Sequence, residues 1–275
     1  MKLTRTLSAP LAAALGTAFL ALSVLVAAPA GAQPADAVLR DFIPSGDYIV
    51  KIDGVEAPKA ELYQSSQAPA FLIVANELSS PTLILPREQA VQTVSFMKLS
   101  KRADGNLDIL ADAQLTPAGS FRLEGRDVAF TIDGKEVSLV ERPYLLGEQD
   151  LQGMLDYSPA YRRGADDYDP EAAAVKAIRS AGEPVRVRVY FGSWCGFCKQ
   201  YVPRMLAVAQ QLEGDVDFEF YGLPNGFGDE PAASRDEIDS VPTGIVYVDG
   251  KEVGRLNARD WESPEGTLRN LVTGS

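Results

Sequence analysis

A chain of 275 residues, 46% hydrophobic and 23% charged, is long enough for two folded domains and has none of the like-charge blocks or low complexity of a disordered protein. It contains no histidine, which removes histidine triads, histidine general bases and histidine-ligated metal sites, and its two cysteines cannot by themselves build a structural zinc site. A net charge of −12 repels phosphate backbones and anionic lipid, which argues against nucleic acid as a partner.

Residues 1–32 read as a signal peptide: Lys2 and Arg5 are basic, an apolar run follows from Leu11 to Ala28, and Ala30-Gly31-Ala32 offers small residues for cleavage after Ala32. This predicts a periplasmic or secreted protein that begins near Gln33 and keeps no stable membrane insertion. The apolar run also approaches the ~20 residues that span a bilayer, so a retained N-terminal anchor is the alternative. Export would place the chain in an oxidising compartment.

Residues 33–142 predict a small all-β sandwich or barrel. Short apolar runs at Tyr48-Ile49-Val50, Phe71 to Val74, Thr82 to Leu85, Val91 to Leu99, Leu107 to Leu110, Val128 to Ile132 and Val137 to Val140 are split by turn residues. Asp53-Gly54 and Asp133-Gly134 suit hairpin turns because both residue types tolerate positive φ. Residues 143–168 then read as a linker with one short helix around Leu151, Met154 and Leu155, entering a polar stretch at Ser158-Pro159 and Gly164 to Asp167.

From 169 onward the elements alternate. Asp169-Pro170-Glu171 opens a helix from Ala172 to Ser180, closed by Gly182, with Asp169 as the cap. A strand over Val185 to Phe191, a helix from Cys195 to about Leu212 and a strand over Val216 to Tyr221 follow. A hairpin, Gly244 to Val248 and Glu252 to Leu256 around Asp249-Gly250, precedes a closing helix from Ser263 to Leu271. The pattern predicts an α/β domain over 169–275 with a mixed central sheet flanked by helices. Arg186 and Arg188 alternate with valines, and Asp217 and Glu219 with apolar residues, which predicts an arginine–carboxylate ladder on a sheet face poorly covered by residues 225–240.

Trp194-Cys195-Gly196-Phe197-Cys198-Lys199 falls where the buried strand ends and the helix begins. Cysteines three apart on a helix share a face, near enough for the ~4.4–6.8 Å Cα separation of a disulfide. The first sits at the helix N-terminus, where unpaired N–H groups and the helix dipole favour a thiolate, so Cys195 is the expected nucleophile. Cys198, one turn inside, is placed to attack a mixed disulfide on Cys195 and is the expected resolving thiol. A static structural disulfide is the alternative, but so small a ring constrains little of the unfolded chain.

The chain here resembles the thioredoxin family over roughly Asp169 to Ser275. The resemblance rests on the Trp-Cys-Gly-Phe-Cys-Lys core, on Pro203 five residues after the second cysteine, on Val241-Pro242-Thr243, and on the hairpin and helix that follow. It implies a thioredoxin-like fold, a redox-active Cys195–Cys198 disulfide and a cis peptide bond before Pro242. Trp194, Gly196, Phe197, Val241, Pro242 and Thr243 would then meet the substrate.

Two departures matter. Val189 stands six residues before Cys195, where the family carries a buried Asp that accepts a proton from the resolving thiol. Gly196-Phe197 has neither the Pro of reductants nor the His of strong oxidants; it is nearer the Gly-Tyr of periplasmic isomerases, whose helical insertion before the cis-proline loop is missing here.

The resemblance therefore implies an exported thiol–disulfide oxidoreductase, a reductase or isomerase rather than a strong oxidase, needing no bound cofactor or metal. Its partners would be exported protein thiols and disulfides and a membrane or soluble electron donor. The alternative is an envelope binding or docking protein whose β domain recognises a partner and whose C-terminal half is a platform.

Overall fold

The structure is a computed structural model that describes residues 40–103 and 105–274; the expected leader over 1–32 lies outside the described residues. The N-terminal half is built from β1 (Phe42–Pro44), β2 (Tyr48–Ile52), β3 (Val55–Glu56), β4 (Glu61–Ser65), β5 (Phe71–Val74), β6 (Thr82–Leu85), β7 (Ala90–Thr93), β8 (Leu99–Lys101), β9 (Leu107–Ile109), β10 (Thr116–Ser120), β11 (Arg122–Glu124), β12 (Asp127–Ile132) and β13 (Lys135–Glu141). An eight-stranded sheet runs β10-β7-β6-β5-β4-β1-β9-β8 and a five-stranded sheet β11-β12-β13-β2-β3.

Alternation explains how these sheets pack. Ile73 and Ile84 point from the eight-stranded sheet onto Val50, Phe130, Val137 and Leu139 of the other. Their neighbours Leu72, Leu83 and Leu85 point the opposite way, onto Phe42, Tyr63, Leu107 and Ile109 of the same curled sheet. Both faces of β5 and β6 are therefore covered, which is why their sequences, FLIV and TLIL, are nearly continuous apolar runs rather than strict alternations. The region is a β-rich sandwich of curled antiparallel sheets, as expected. The Asp-Gly turns sit at the tips of β2–β3 and β12–β13 with positive φ at both residues, 51° and 78° at Asp53-Gly54 and 54° and 74° at Asp133-Gly134. The run from Val91 to Leu99 is not one strand: Ser95 caps a 3-10 turn over Phe96–Lys98 that separates β7 from β8.

The second half comprises β14 (Gly147–Gln149), α1 (Leu151–Tyr157), α2 (Pro159–Asp166), α3 (Ala172–Arg179), β15 (Val185–Phe191), α4 (Gly196–Gln211), β16 (Val216–Gly222), α5 (Pro231–Arg235), β17 (Thr243–Val248), β18 (Lys251–Leu256) and α6 (Pro264–Thr273). Its sheet runs β14-β16-β15-β17-β18; β15 and β16 are parallel and the other pairs antiparallel. Val187 and Val189 bury one face against α4, whereas Tyr190 and Ile245 bury the other against Ala232 and Ala233 of α5.

Three expectations need correction here. Residues 143–168 carry a strand and two helices in place of a linker with one short helix: β14 adds the fifth strand, and Met154, Leu155, Tyr161 and Ala165 are buried in the same core as Cys198. The cap of α3 is Glu171 without a side-chain hydrogen bond, not Asp169, because Glu171 N–H is taken by the buried Glu265 (3.3 Å). The ladder exists without Asp217, which is exposed. Glu219 takes both Arg186 (3.4 Å) and Arg188 (2.7 Å), and Asp236 also pairs with Arg188 (3.4 Å). Asp236 comes from the very segment expected to cover this face poorly.

Candidate functional site

One local constraint and two long-range hydrogen bonds place the cysteines. β15 ends in the core at Phe191; Gly192 follows because an added Cβ would lie 2.5 Å from Cε2 of the Trp194 indole, so only glycine lets that ring fold back on the strand end. The ring is then held by its Nε1–H, which donates to the Leu223 carbonyl (2.8 Å). Ser193, buried, uses Oγ to accept the Leu145 N–H (2.9 Å), tying the motif to the segment ahead of β14.

Cys195 is the N-cap of α4, and its sulfur accepts the Cys198 N–H (3.4 Å), one of the donors that a helix start leaves unpaired. Its thiol also points at the Val241 carbonyl (3.7 Å). Val241-Pro242 is cis, and buried Pro242 follows Val241 at the start of β17. Cys198 is fully buried, and its sulfur accepts the Gly192 N–H (3.4 Å). Burial pushes its thiol well above the usual range, against the partial relief of that hydrogen bond. Both sulfurs are free thiols here.

The two cysteines therefore differ by environment. At about pH 8, iodoacetamide is expected to label Cys195 in the reduced native chain and spare Cys198, giving one adduct by intact mass and a second only after denaturation. Equal labelling of both in the native chain would contradict the buried placement of Cys198.

The other expected site residues divide. Gly196 and Phe197 are exposed beside Cys195, Phe197 packing on Tyr201 with ring centroids 4.3 Å apart. Trp194 and Val241 are half-buried at the rim. Thr243 turns its hydroxyl to the Ser240 carbonyl (2.8 Å), so it braces its own loop. Val189 is fully buried with its apolar side chain in the core.

Sequence reasoning missed the residues that the first half brings to this rim. A cavity of about 160 Å³ beside Trp194 and Lys199 is also lined by Asp47, Arg126, Arg142 and Tyr157. Lys199 pairs with Asp47. Arg142 donates to the carbonyls of Gly46 (2.9 Å) and Tyr157 (2.7 Å) and lies over the Tyr157 ring. Only the position of Arg142 just after the last β run hinted at this; the pairing of Asp47 with Lys199 spans 152 positions and leaves no local trace. Tyr161 was missed too, although Tyr161 and Ala165 share the helical i, i+4 spacing behind the capping Ser158.

A vicinal dithiol at the start of a helix, against a cis-proline loop and on a mixed sheet with helices on both faces, defines the class of thioredoxin-fold dithiol proteins. Sequence comparison with known proteins bears this out. The thioredoxin family profile matches residues 173–269. Thioredoxin-2 of Saccharomyces cerevisiae is 34% identical over 96 residues, 34% of this chain and 80% of the relative. A thioredoxin of Chlamydia caviae is 40% identical over 68 residues, 24% of this chain and 62% of its own length. Among solved structures, Fasciola hepatica thioredoxin aligns at 27% identity over 34% of this chain and 86% of that one, with a TM-score of 0.27. The chain belongs to the thioredoxin family, and the relatives point to thiol–disulfide oxidoreductase activity as its general chemistry.

Proposed function

We propose that this protein is an exported thiol–disulfide oxidoreductase that exchanges dithiol and disulfide with protein substrates, with Cys195 as nucleophile and Cys198 as resolving thiol. The observation that carries the reading is the contrast at the start of α4: Cys195 is only partly buried and its sulfur already accepts a helix N–H, whereas Cys198 lies one turn deeper and is fully buried. The first can meet a substrate disulfide; the second can reach only the first. The Val241 carbonyl and the exposed Phe197 flank Cys195 and offer an extended substrate segment a backbone acceptor and an apolar surface. With no histidine in the chain to stabilise the thiolate, a reductase or isomerase fits better than a strong oxidase.

The region over 33–142 acts in this reading as a recognition domain, since it supplies Asp47, Arg126 and Arg142 beside Trp194. A leader over 1–32 exports the chain, and a membrane or soluble donor returns its electrons. The test is a redox titration in glutathione buffers together with reduction of insulin by dithiothreitol. The unmodified protein is expected to accelerate insulin reduction and to titrate as a two-electron couple between about −270 and −120 mV. A chain that neither titrates nor accelerates the reaction would refute the proposal.

A further inference from the structure

Tyr161 carries a buried hydroxyl with no partner among the described residues. The residue is 2% exposed and its Oη makes no hydrogen bond to any described residue, a defect that native cores rarely retain unless the group has a use. Its helix is held against the cysteine helix at close range: a Cβ on Gly164 of α2 would lie 2.8 Å from the Cβ of Pro203 in α4. Tyr161 precedes Gly164 by one turn, and a helical side chain leans toward its own N-terminus. The phenol thus enters the core that holds Cys198 and Val202. Burial first, and after it the Cys198 sulfur, keep it a neutral donor. Tyr157, Cys195 and Asp47 act on it in the same direction.

Cys198 has the complementary need. It must become a thiolate inside an apolar core, where its sulfur takes the Gly192 N–H and where Val189 offers nothing polar.

On the reading of Cys195 and Cys198 as an exchange pair, we propose that the Tyr161 hydroxyl is a second donor for Cys198, turning to the sulfur as it becomes charged and so positioning it for the resolving step. In that step Cys195 Sγ is bonded to a substrate sulfur. The Cys198 thiol releases its proton to solvent and the thiolate attacks Cys195 Sγ. The bond between Cys195 and the substrate breaks, and the substrate sulfur leaves with the electron pair and takes up a proton. The two protein thiols are oxidised, the substrate disulfide is reduced, and Tyr161 keeps its own proton throughout.

Tyr161→Phe removes one oxygen. In single-turnover reduction of a disulfide peptide, release of the substrate's second thiol is expected to slow about tenfold or more, as loss of one hydrogen bond to a charged sulfur implies. The pH midpoint of that step is expected to rise by about one unit or more, while alkylation of Cys195 and the Tm stay unchanged or the Tm rises. A resolving rate and midpoint equal to those of the unmodified protein, with a raised Tm, would show the hydroxyl to be a packing defect and overturn the inference. A second measurement needs no altered core: the Tyr161 ring carbon bearing the hydroxyl, followed by NMR in the unmodified reduced chain, is expected to shift as Cys198 titrates, and a resonance that ignores that titration would also overturn it. If the unmodified protein reduces no disulfide, the exchange reading fails and takes this inference with it. If it turns over and Tyr161→Phe resolves equally fast, only the role of Tyr161 falls.

Discussion

Cys198→Ser is expected to hold covalent adducts with disulfide substrates, whereas Cys195→Ser is expected to hold none. The asymmetry follows from where the sulfurs lie. Cys195 is only partly buried at the N-cap, with the Cys198 N–H on its sulfur and the Val241 carbonyl beside it, so it can form a mixed disulfide whatever residue occupies 198. Cys198 is fully buried, its sulfur bound to the Gly192 N–H and its thiol pushed up by burial, so no substrate sulfur reaches it when Cys195 is gone. Turnover should be lost in both. With Ser at 198 the adduct can be broken only by an added thiol at millimolar concentration, in place of a tethered one whose effective concentration is many orders higher. A fall on the order of a thousandfold or more is expected in both variants. Non-reducing gels and intact mass after exposure to a disulfide peptide check the adducts, and insulin reduction checks the turnover. Equal adduct yields from the two variants would mean that the sulfurs are not ordered as described.

The parts of this site that were legible in the sequence are those written by local rules. Cys195 at a strand-to-helix junction, β15 as an alternating run and the Asp-Gly turns each depend on a few adjacent residues, and each appears where those residues predict it. What was not legible depends on partners far away. β14, with sequence GEQ, has no apolar residue to mark it; it is a strand only because Gly147, Glu148 and Gln149 pair with Gly222, Tyr221 and Phe220. β10 contains Pro117 and Gly119, which read as a loop, and it pairs with β7 across a bulge between them. The arginine ladder was half legible. The parallel register sets Arg188 beside Glu219, as the strand pattern suggests, but Asp236 arrives from the loop segment after β16 and Tyr190 donates its hydroxyl to that carboxylate. Composition alone, rich in Gly, Asp and Pro, made this segment read as poor cover, whereas Ala232, Ala233 and Ile238 bury Tyr190 and Ile245 completely.

Gly222→Ala is expected to destabilise the protein by about 3 kcal/mol or more, far beyond the usual effect of adding one methyl group. A Cβ at 222 would stand 2.1 Å from the Leu145 carbonyl oxygen, 2.8 Å from its carbon and 3.2 Å from the Leu146 Cα. All three are backbone atoms, so no rotamer change relieves the clash; one strand end must move. Gly244 supplies the control, since the atoms nearest to a Cβ there belong to the Leu256 side chain, and the closest, Cδ1 at 3.1 Å, can turn aside. Gly244→Ala is therefore expected to cost less than Gly222→Ala. Thermal and urea unfolding of the two variants check the difference, and a Gly222→Ala protein within about 0.5 kcal/mol of the unmodified one would mean that the crossing is not as tight as it stands. The consequence reaches the cysteines. Leu145, whose carbonyl occupies the space at Gly222, gives its N–H to Ser193 next to Trp194, and Leu223, next in the chain after Gly222, holds the Trp194 indole through its carbonyl. A methyl group at 222 thus pushes on both anchors of the motif from one point, so the variant is also expected to lose disulfide-reducing activity at temperatures where it remains folded. The absent side chain at 222 is what allows the segment leaving the β-rich region to pass over the end of β16 and brace the residues around Cys195.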